Sequence, residues 1–169
     1  MSTTLHSSAT SPSHTTRLAW AVTFAYLAVT ALLLTGGCAG RVSLFPNSDT
    51  SLRKTPAQFA ADAARRAYPA DAPKAGQADG QAQVAYELDR VELVNLSQED
   101  WTDVEVWLNR DYVVYLPKLE AGTQRVKTLD FRMFYDSQGN SFPLTKVVVK
   151  DLELVRGGKV YTIPFRQAD

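Results

Sequence analysis

Few side chains in this sequence can do nucleophilic, acid–base or metal-binding chemistry, and where they fall narrows the choices. There is one cysteine, Cys38, and there are two histidines, His6 and His14. From Ala39 onward neither residue type recurs. That stretch therefore lacks the parts for Ser-His-Asp or Cys-His catalysis, for a histidine general base and for the usual zinc and haem sites. Carboxylates remain: Glu99, Asp100, Asp103 and Glu105 lie close together in the chain. Paired acids can hydrolyse glycosides or bind calcium. The spacing here fits no calcium loop, and acids at alternate positions, Asp103 and Glu105, are what the exposed face of a strand displays. No metal, no cofactor and no catalytic residue is expected.

Binding chemistry has better candidates. Trp107 falls on the same strand face as Glu105, with Tyr115 nearby on the next strand. Aromatic faces beside a carboxylate can stack on a sugar ring and hydrogen-bond to it. The same residues also suit plain packing, because large aromatics mostly bury area and the face can be covered by a helix or another chain. Trp101 follows Gln98-Glu99-Asp100. It is read as a loop residue that either marks a contact or plugs the open end of a sandwich, and the plug is preferred. Trp107, Tyr115, Glu105 and Trp101 together make the candidate binding surface. Eighteen basic and eighteen acidic residues leave no net charge. Without a basic stripe, nucleic acid is not an expected partner.

The elements that must position these residues can be read locally. Thr55-Pro56 suits a helix start, with Thr as N-cap and Pro in the first turn. Residues 57–68 are alanine-rich and Pro69 ends the helix. Phe59, Ala63 and Ala67 give it a thin apolar stripe, read as a solvated or loosely docked helix. Residues 69–82 have the Pro, Ala and Gly composition of a linker. From Gln83 onward β-branched and aromatic residues dominate. Around Gly157-Gly158 a two-residue turn pairs Leu154 with Tyr161 and Leu152 with Ile163, all on one face. Glu153, Asp151 and Thr162 fall on the other, polar face. Around Asn109-Arg110-Asp111 a three-residue loop pairs Leu108 with Tyr112, Val106 with Val114 and Val104 with Leu116. Asp111 is expected to take the left-handed position. A third hairpin turns at Asp136-Ser137-Gln138-Gly139, where Asp caps and Gly takes the awkward dihedral. Further strands are expected at 84–96, 125–135 and 145–149. The sum is mainly β: an immunoglobulin-like antiparallel sandwich of about seven strands, preceded by one short helix.

The N-terminal region has a different character. Residues 1–16 are polar, Arg17 is a single basic flank, and residues 18–34 are apolar. Then comes Leu34-Thr35-Gly36-Gly37-Cys38. A basic flank, an apolar segment and a small-residue cut site are the parts of a secretory signal. The run from Arg17 to Cys38 resembles bacterial lipoprotein signal peptides, with Thr35 at the position where that family usually has Leu. The resemblance implies cleavage before Cys38, acylation of its thiol, and a membrane partner held through lipid. Ala39, rather than Asp, after the cysteine slightly favours the outer membrane. The alternative is an uncleaved single-pass anchor, since residues 18–35 sit at the short end of a spanning length. Asn95-Leu96-Ser97 fits a glycosylation acceptor, which a bacterial address makes irrelevant.

The corner Leu119-Glu120-Ala121-Gly122, followed by a strand into Phe134-Tyr135-Asp136, resembles bacterial FxLYD-type and related immunoglobulin-like envelope domains over roughly residues 90–143. Those families imply an envelope location and a fold, and no activity. The expected organisation is a signal peptide at 1–37, a tether at 38–54, helix and linker at 55–82, and a sandwich at 83–169. The expected function is a lipid-anchored envelope protein acting as a structural or interaction module rather than an enzyme. Its partner would be an envelope protein or a cell-wall glycan. The alternatives are a carbohydrate- or peptidoglycan-binding module using the aromatic face, and a carboxylate-dependent hydrolase.

Overall fold

The computed structural model describes residues 49–168. The expected signal peptide or anchor helix, Cys38 and most of the tether lie outside the described residues. What is described is mainly β: nine strands in two sheets, with one α-helix and two 3₁₀ turns. The helix, α1, is Pro56–Ala64, and the 3₁₀ turns are Thr50–Leu52 and Phe131–Met133. The strands are β1 (Lys74–Gln77), β2 (Gly80–Ala85), β3 (Arg90–Asn95), β4 (Trp101–Leu108), β5 (Tyr112–Leu119), β6 (Lys127–Asp130), β7 (Leu152–Arg156), β8 (Lys159–Thr162) and β9 (Phe165–Ala168). Sheet A has the order β1-β8-β7-β4-β5, and sheet B the order β6-β3-β2-β9.

The inner faces carry the alternating apolar residues. Val84, Val91, Leu93 and Leu129 of sheet B join Val104, Val106, Leu116 and Leu154 of sheet A in one hydrophobic cluster, and all are fully buried. Removing each such side chain from water is worth about 1.5–3 kcal/mol. A stack of rings closes one end: Tyr86 on Phe131 at 5.8 Å, Phe131 on Phe142 at 5.0 Å, and Tyr112 edge-on to Phe142 at 5.1 Å.

Local signals were followed closely. Thr55 caps α1 through a reciprocal capping box with Gln58, and Pro56 opens its first turn. The β4–β5 hairpin pairs Leu108 with Tyr112, Val106 with Val114 and Val104 with Leu116. The β7–β8 hairpin pairs Leu154 with Tyr161 across Gly157 and Gly158, whose φ values are +55° and +70°. Ile163 N–H donates to the Leu152 carbonyl at 3.0 Å. At the third turn the Asp136 carboxylate accepts from the backbone N–H groups of Gln138 and Asn140, and Gly139 has φ +83°.

Several expectations are corrected. The strands number nine rather than about seven, and two edge pairs, β1–β8 and β2–β9, are parallel rather than antiparallel. The stretch read as linker holds β1 and the start of β2. One of its glycines answers a packing demand: a Cβ on Gly80 would lie 2.9 Å from the Val94 carbonyl oxygen and 3.0 Å from the Trp101 ring. The expected strand 84–96 is a hairpin, β2–β3, turning at residues 86–89 with Asp89 at φ +50°. The strand expected at 125–135 ends at Asp130, whose carboxylate accepts from Arg132 N–H and starts the 3₁₀ turn. Residues 145–149 are not a strand, because Lys146 and Val147 N–H both turn back to the Pro143 carbonyl. In the β4–β5 loop Asn109 and Arg110, not Asp111, have positive φ. Asn109 is pinned there: its Oδ1 accepts from Lys150 N–H at 2.7 Å and its Nδ2 donates to the Val148 carbonyl at 2.9 Å. The helix ends at Ala64 rather than Tyr68; Phe59 and Ala63 are buried, and Ala67 is exposed.

Candidate functional site

β4 and β5 set Glu105 opposite Tyr115 and Trp107 opposite Val113, and β7 sets Glu153 beside Trp107. Period-two alternation puts all of these on the outer face of sheet A, opposite Val104, Val106 and Leu154. The structure thus brings together three of the four candidate residues, Trp107, Tyr115 and Glu105.

That face is occupied by the protein's own chain. Trp107 is only 2% exposed. The Tyr68 ring meets it edge-on at 5.4 Å, a favoured aromatic geometry. The indole N–H donates to Glu105 Oε2 at 3.1 Å, and Arg66 Nε lies 3.2 Å from Glu105 Oε1. The Arg66 guanidinium sits 4.3 Å over the Tyr115 ring. The Tyr115 hydroxyl donates to Asp103 at 2.7 Å. That carboxylate first, and burial second, hold the phenol above its usual pKa. The indole N–H, both Glu105 oxygens and the Tyr115 hydroxyl thus already have partners within the chain.

Glu153 was read as part of a polar outer face, yet it is 3% exposed. A buried carboxylate is tolerable only when paired and hydrogen-bonded. The Tyr68 hydroxyl donates to its Oε2 at 2.5 Å, and Arg110 Nε stands 3.3 Å from the same oxygen. Lys74 Nζ donates in turn to the Tyr68 hydroxyl at 2.7 Å. Burial, then the Glu153 hydrogen bond, raise the Tyr68 pKa; the Glu153 charge raises that of Arg110. The sequence signal was partial: each hairpin register set Glu153 or Trp107 on the outward side of its own hairpin, and the β4–β7 pairing that joins those sides was not readable. Tyr68 carried no such signal, because it was read as the last residue of a helix that in fact ends at Ala64.

Trp101, read as a loop residue, is instead the first residue of β4, and it lies elsewhere. Simple alternation along β4 would place it with Glu105 and Trp107. Asp103 has φ +50°, which breaks the alternation. Trp101 consequently points between the sheets, beside Gly80, and is 2% exposed. The Arg156 guanidinium lies 4.9 Å over its ring and 5.0 Å over Tyr161.

Of the remaining acids, Asp100 has structural partners too. Asp100 accepts from Ala121 N–H at 2.8 Å and pairs with Lys118 at 2.7 Å. The Lys118 hydrogen bond, then the Ala121 N–H, hold its pKa below the usual carboxylate range. Asn95, fully buried, went unrecognised as a framework residue. It donates to the carbonyls of Glu99 at 2.8 Å and Leu119 at 3.2 Å, while its Oδ1 accepts from Ser97 N–H and Oγ. It fastens the β3–β4 loop to the corner after β5. Among the described residues no three His, Cys, Asp or Glu side chains converge as a metal site, and no helix is long and apolar enough to cross a membrane. No family model, curated protein or solved structure matches this chain.

Proposed function

We propose that this is a lipid-anchored cell-envelope protein whose β-sandwich is a non-enzymatic interaction module. The observation that carries the reading is Cys38, the sole thiol, placed directly after Gly36-Gly37 at the end of an apolar run. Asp49, the first described residue, follows eleven positions later. At about 3.3–3.6 Å per extended residue, acylation of Cys38 keeps that point within about 40 Å of the bilayer. The absence of Asp after Cys38 favours the outer membrane. The non-enzymatic reading rests on the loss of both histidines with the leader, and on acids committed to Tyr115, Arg66 and Lys118.

The finer fold reading is immunoglobulin-like. Taken in chain order as A, B, C, C′, E, F and G, strands β2 to β8 give an A-B-E sheet and a G-F-C-C′ sheet. That division supports the immunoglobulin-like reading, with β1 and β9 as added parallel edges. Such a framework presents loops and sheet faces to partners and carries no chemistry of its own.

Mass spectrometry of the chain recovered from bacterial membranes tests the anchor. The expected N-terminus is diacylglyceryl-Cys38, and Cys38→Ala should abolish both processing and acylation. A membrane-bound chain still beginning at Met1 would replace the lipoprotein reading with a single-pass anchor. Partition into buffer without detergent would remove both.

A further inference from the structure

The four end strands of the two sheets are not equally closed to a further strand. β5 lies under α1 and the first 3₁₀ turn, and its Val113 exchanges backbone hydrogen bonds with Tyr135. β6 opens at Lys127, which holds Asp49 of the same N-terminal segment. β1 is broken by a register shift between Lys74 and Gln77, with Gly76 at φ +81°. β9 has none of these devices. It keeps one unbroken parallel register with β2, from Ala82 with Phe165 to Ala85 with Ala168. Among the described residues no strand lies on its other side. Ala82 N–H donates to the Pro164 carbonyl at 3.0 Å, which sets the alternation along β9. The backbone groups of Arg166 turn toward β2, and those of Phe165 and Gln167 turn to the open edge. β9 also carries a cation without a countercharge. Arg166 is exposed, and its Nε donates to Gln83 Oε1 at 3.0 Å, a neutral amide. It stands at a trough of about 470 Å³ on the outer face of sheet B, lined also by Gln81, Gln83 and Val94. Glu92, the one acid lining that trough, is held by Arg90 at 2.8 Å.

We propose that the open edge of β9 takes an extended acidic segment of a partner protein as an added strand, with a carboxylate of that segment on Arg166. Main-chain pairing supplies affinity in this mode, and side chains at alternate positions supply specificity. On one side of a strand, free N–H and C=O groups recur every second residue, about 6.6–6.8 Å apart, as those of Phe165 and Gln167 do. Another extended backbone matches that repeat; a glycan or a lipid headgroup does not. A side chain directly opposite Arg166 falls on the same outer face, with Cβ atoms about 4.5–5.5 Å apart. A carboxylate there meets the guanidinium, and the Gln81 and Gln83 amides lie beside it in the trough. A second copy of this chain is a poorer occupant, because pairing β9 with β9 sets two Arg166 side chains on one face. The inference gives a partner class to the interaction module proposed above, and does not require Cys38 to be acylated.

The test titrates the full chain in detergent against labelled eight-residue peptides in which Glu alternates with Val, read by fluorescence anisotropy. Versions with Gln or Lys in place of Glu, and one methylated at alternate backbone nitrogens, run alongside. Binding of the Glu peptide is expected, about tenfold or more tighter than the Gln peptide, the size expected for a charge-assisted hydrogen bond. Arg166→Gln should erase that preference. Gln167→Pro removes an N–H that faces the open edge, where Pro is tolerated, and should abolish binding of every peptide. Backbone methylation of the peptide should do the same with the protein untouched. Circular dichroism and thermal midpoints matching the wild type would show that both variants stay folded. No binding of the Glu peptide would overturn the inference. Equal binding of Glu and Gln peptides would do so too, as would binding indifferent to Gln167→Pro and to methylation. Self-association in sedimentation that Gln167→Pro removes would assign the edge to a second copy instead. The N-terminal mass of the same preparation reports separately on the anchor, so the two readings can fail independently.

Discussion

The outer faces of the two sheets were built from the same alternating pattern and have opposite fates. On sheet A, β4 and β7 turn outward Trp107 and Glu153, and the chain around Arg66 and Tyr68 lies over them. On sheet B, β2 and β3 turn outward Gln81, Gln83 and Glu92, and these stay at the surface around a trough. The difference shows what decides whether a sheet face is covered. An indole exposed on a sheet is a large apolar area that favours a cover. Once the cover is in place, any charge beneath it must be paired, which is what Tyr68 and Arg110 do for Glu153. Amides and a surface ion pair make no such demand. The face that looked suited to a sugar is therefore occupied by the protein itself, and the face with no aromatic ring is the one left open.

The comparison breaks most directly at Trp107. Trp107→Ala removes an indole buried under Tyr68 and takes from Glu105 the N–H that its Oε2 accepts, leaving it the Arg66 pair. Truncation of a buried tryptophan costs about 3–5 kcal/mol. Urea denaturation should show that loss, and thermal scans a midpoint lowered by on the order of 10 °C. A cost below about 1 kcal/mol would mean that the cover is loosely docked and the face accessible.

Tyr68→Phe asks a narrower question of the same cover. It keeps the ring against Trp107 and removes the hydroxyl that donates to buried Glu153, a loss of about 1–3 kcal/mol. The pH dependence supplies a second readout. Burial and the Glu153 carboxylate raise the folded-state pKa of Tyr68 above its ordinary 10.0. A raised pKa means that the neutral phenol is favoured by folding. Its contribution is fully present below pH 10 and disappears as pH climbs through the folded value. Tyr115 behaves with the same sign, through Asp103. Urea midpoints followed from pH 8 to 11 should therefore fall more steeply for the wild type than for Tyr68→Phe. Parallel curves would show that Tyr68 does not hold Glu153 in solution.

What the sequence revealed of this arrangement divides by range of interaction. Both hairpin registers were readable, because Gly157-Gly158 and the loop 109–111 set local turn geometry and apolar residues could face only one way. That register also assembled Trp107, Tyr115 and Glu105 correctly. The start of α1 was readable for the same local reason, the Thr55 cap. Long-range matters were not. β1 and the start of β2 looked like linker, in part because Gly80 answers Trp101 and Val94, residues that the local composition does not mention. The turn at 86–89 has neither Gly nor Pro to announce it. The parallel pairs, Lys74 with Val160 and Ala82 with Phe165, join segments more than eighty residues apart. Trp101 looked like a loop residue after Gln98-Glu99-Asp100, yet it opens β4, and left-handed Asp103 turns its indole to the other side of the sheet from Trp107.

The smallest expected effect sharpens the contrast from the open side. Gln81→Ala and Glu92→Gln alter side chains that lie outside the core, and the latter breaks only the Arg90 pair, whose side chains are 38% and 28% exposed. Exposed ion pairs contribute about 0–1 kcal/mol, and surface substitutions away from caps and networks stay within about 0.5 kcal/mol. Urea midpoints should be nearly unmoved for both variants, singly and together, where Trp107→Ala moves them far. A stability loss above about 1 kcal/mol from either would mean that this face is also structural, bound into the core through neighbours such as Arg166. The two outer faces would then no longer differ in kind, and the trough would lose its standing as a surface kept free for a ligand. Near-neutral stability for both variants would instead show that nothing in the fold depends on these side chains.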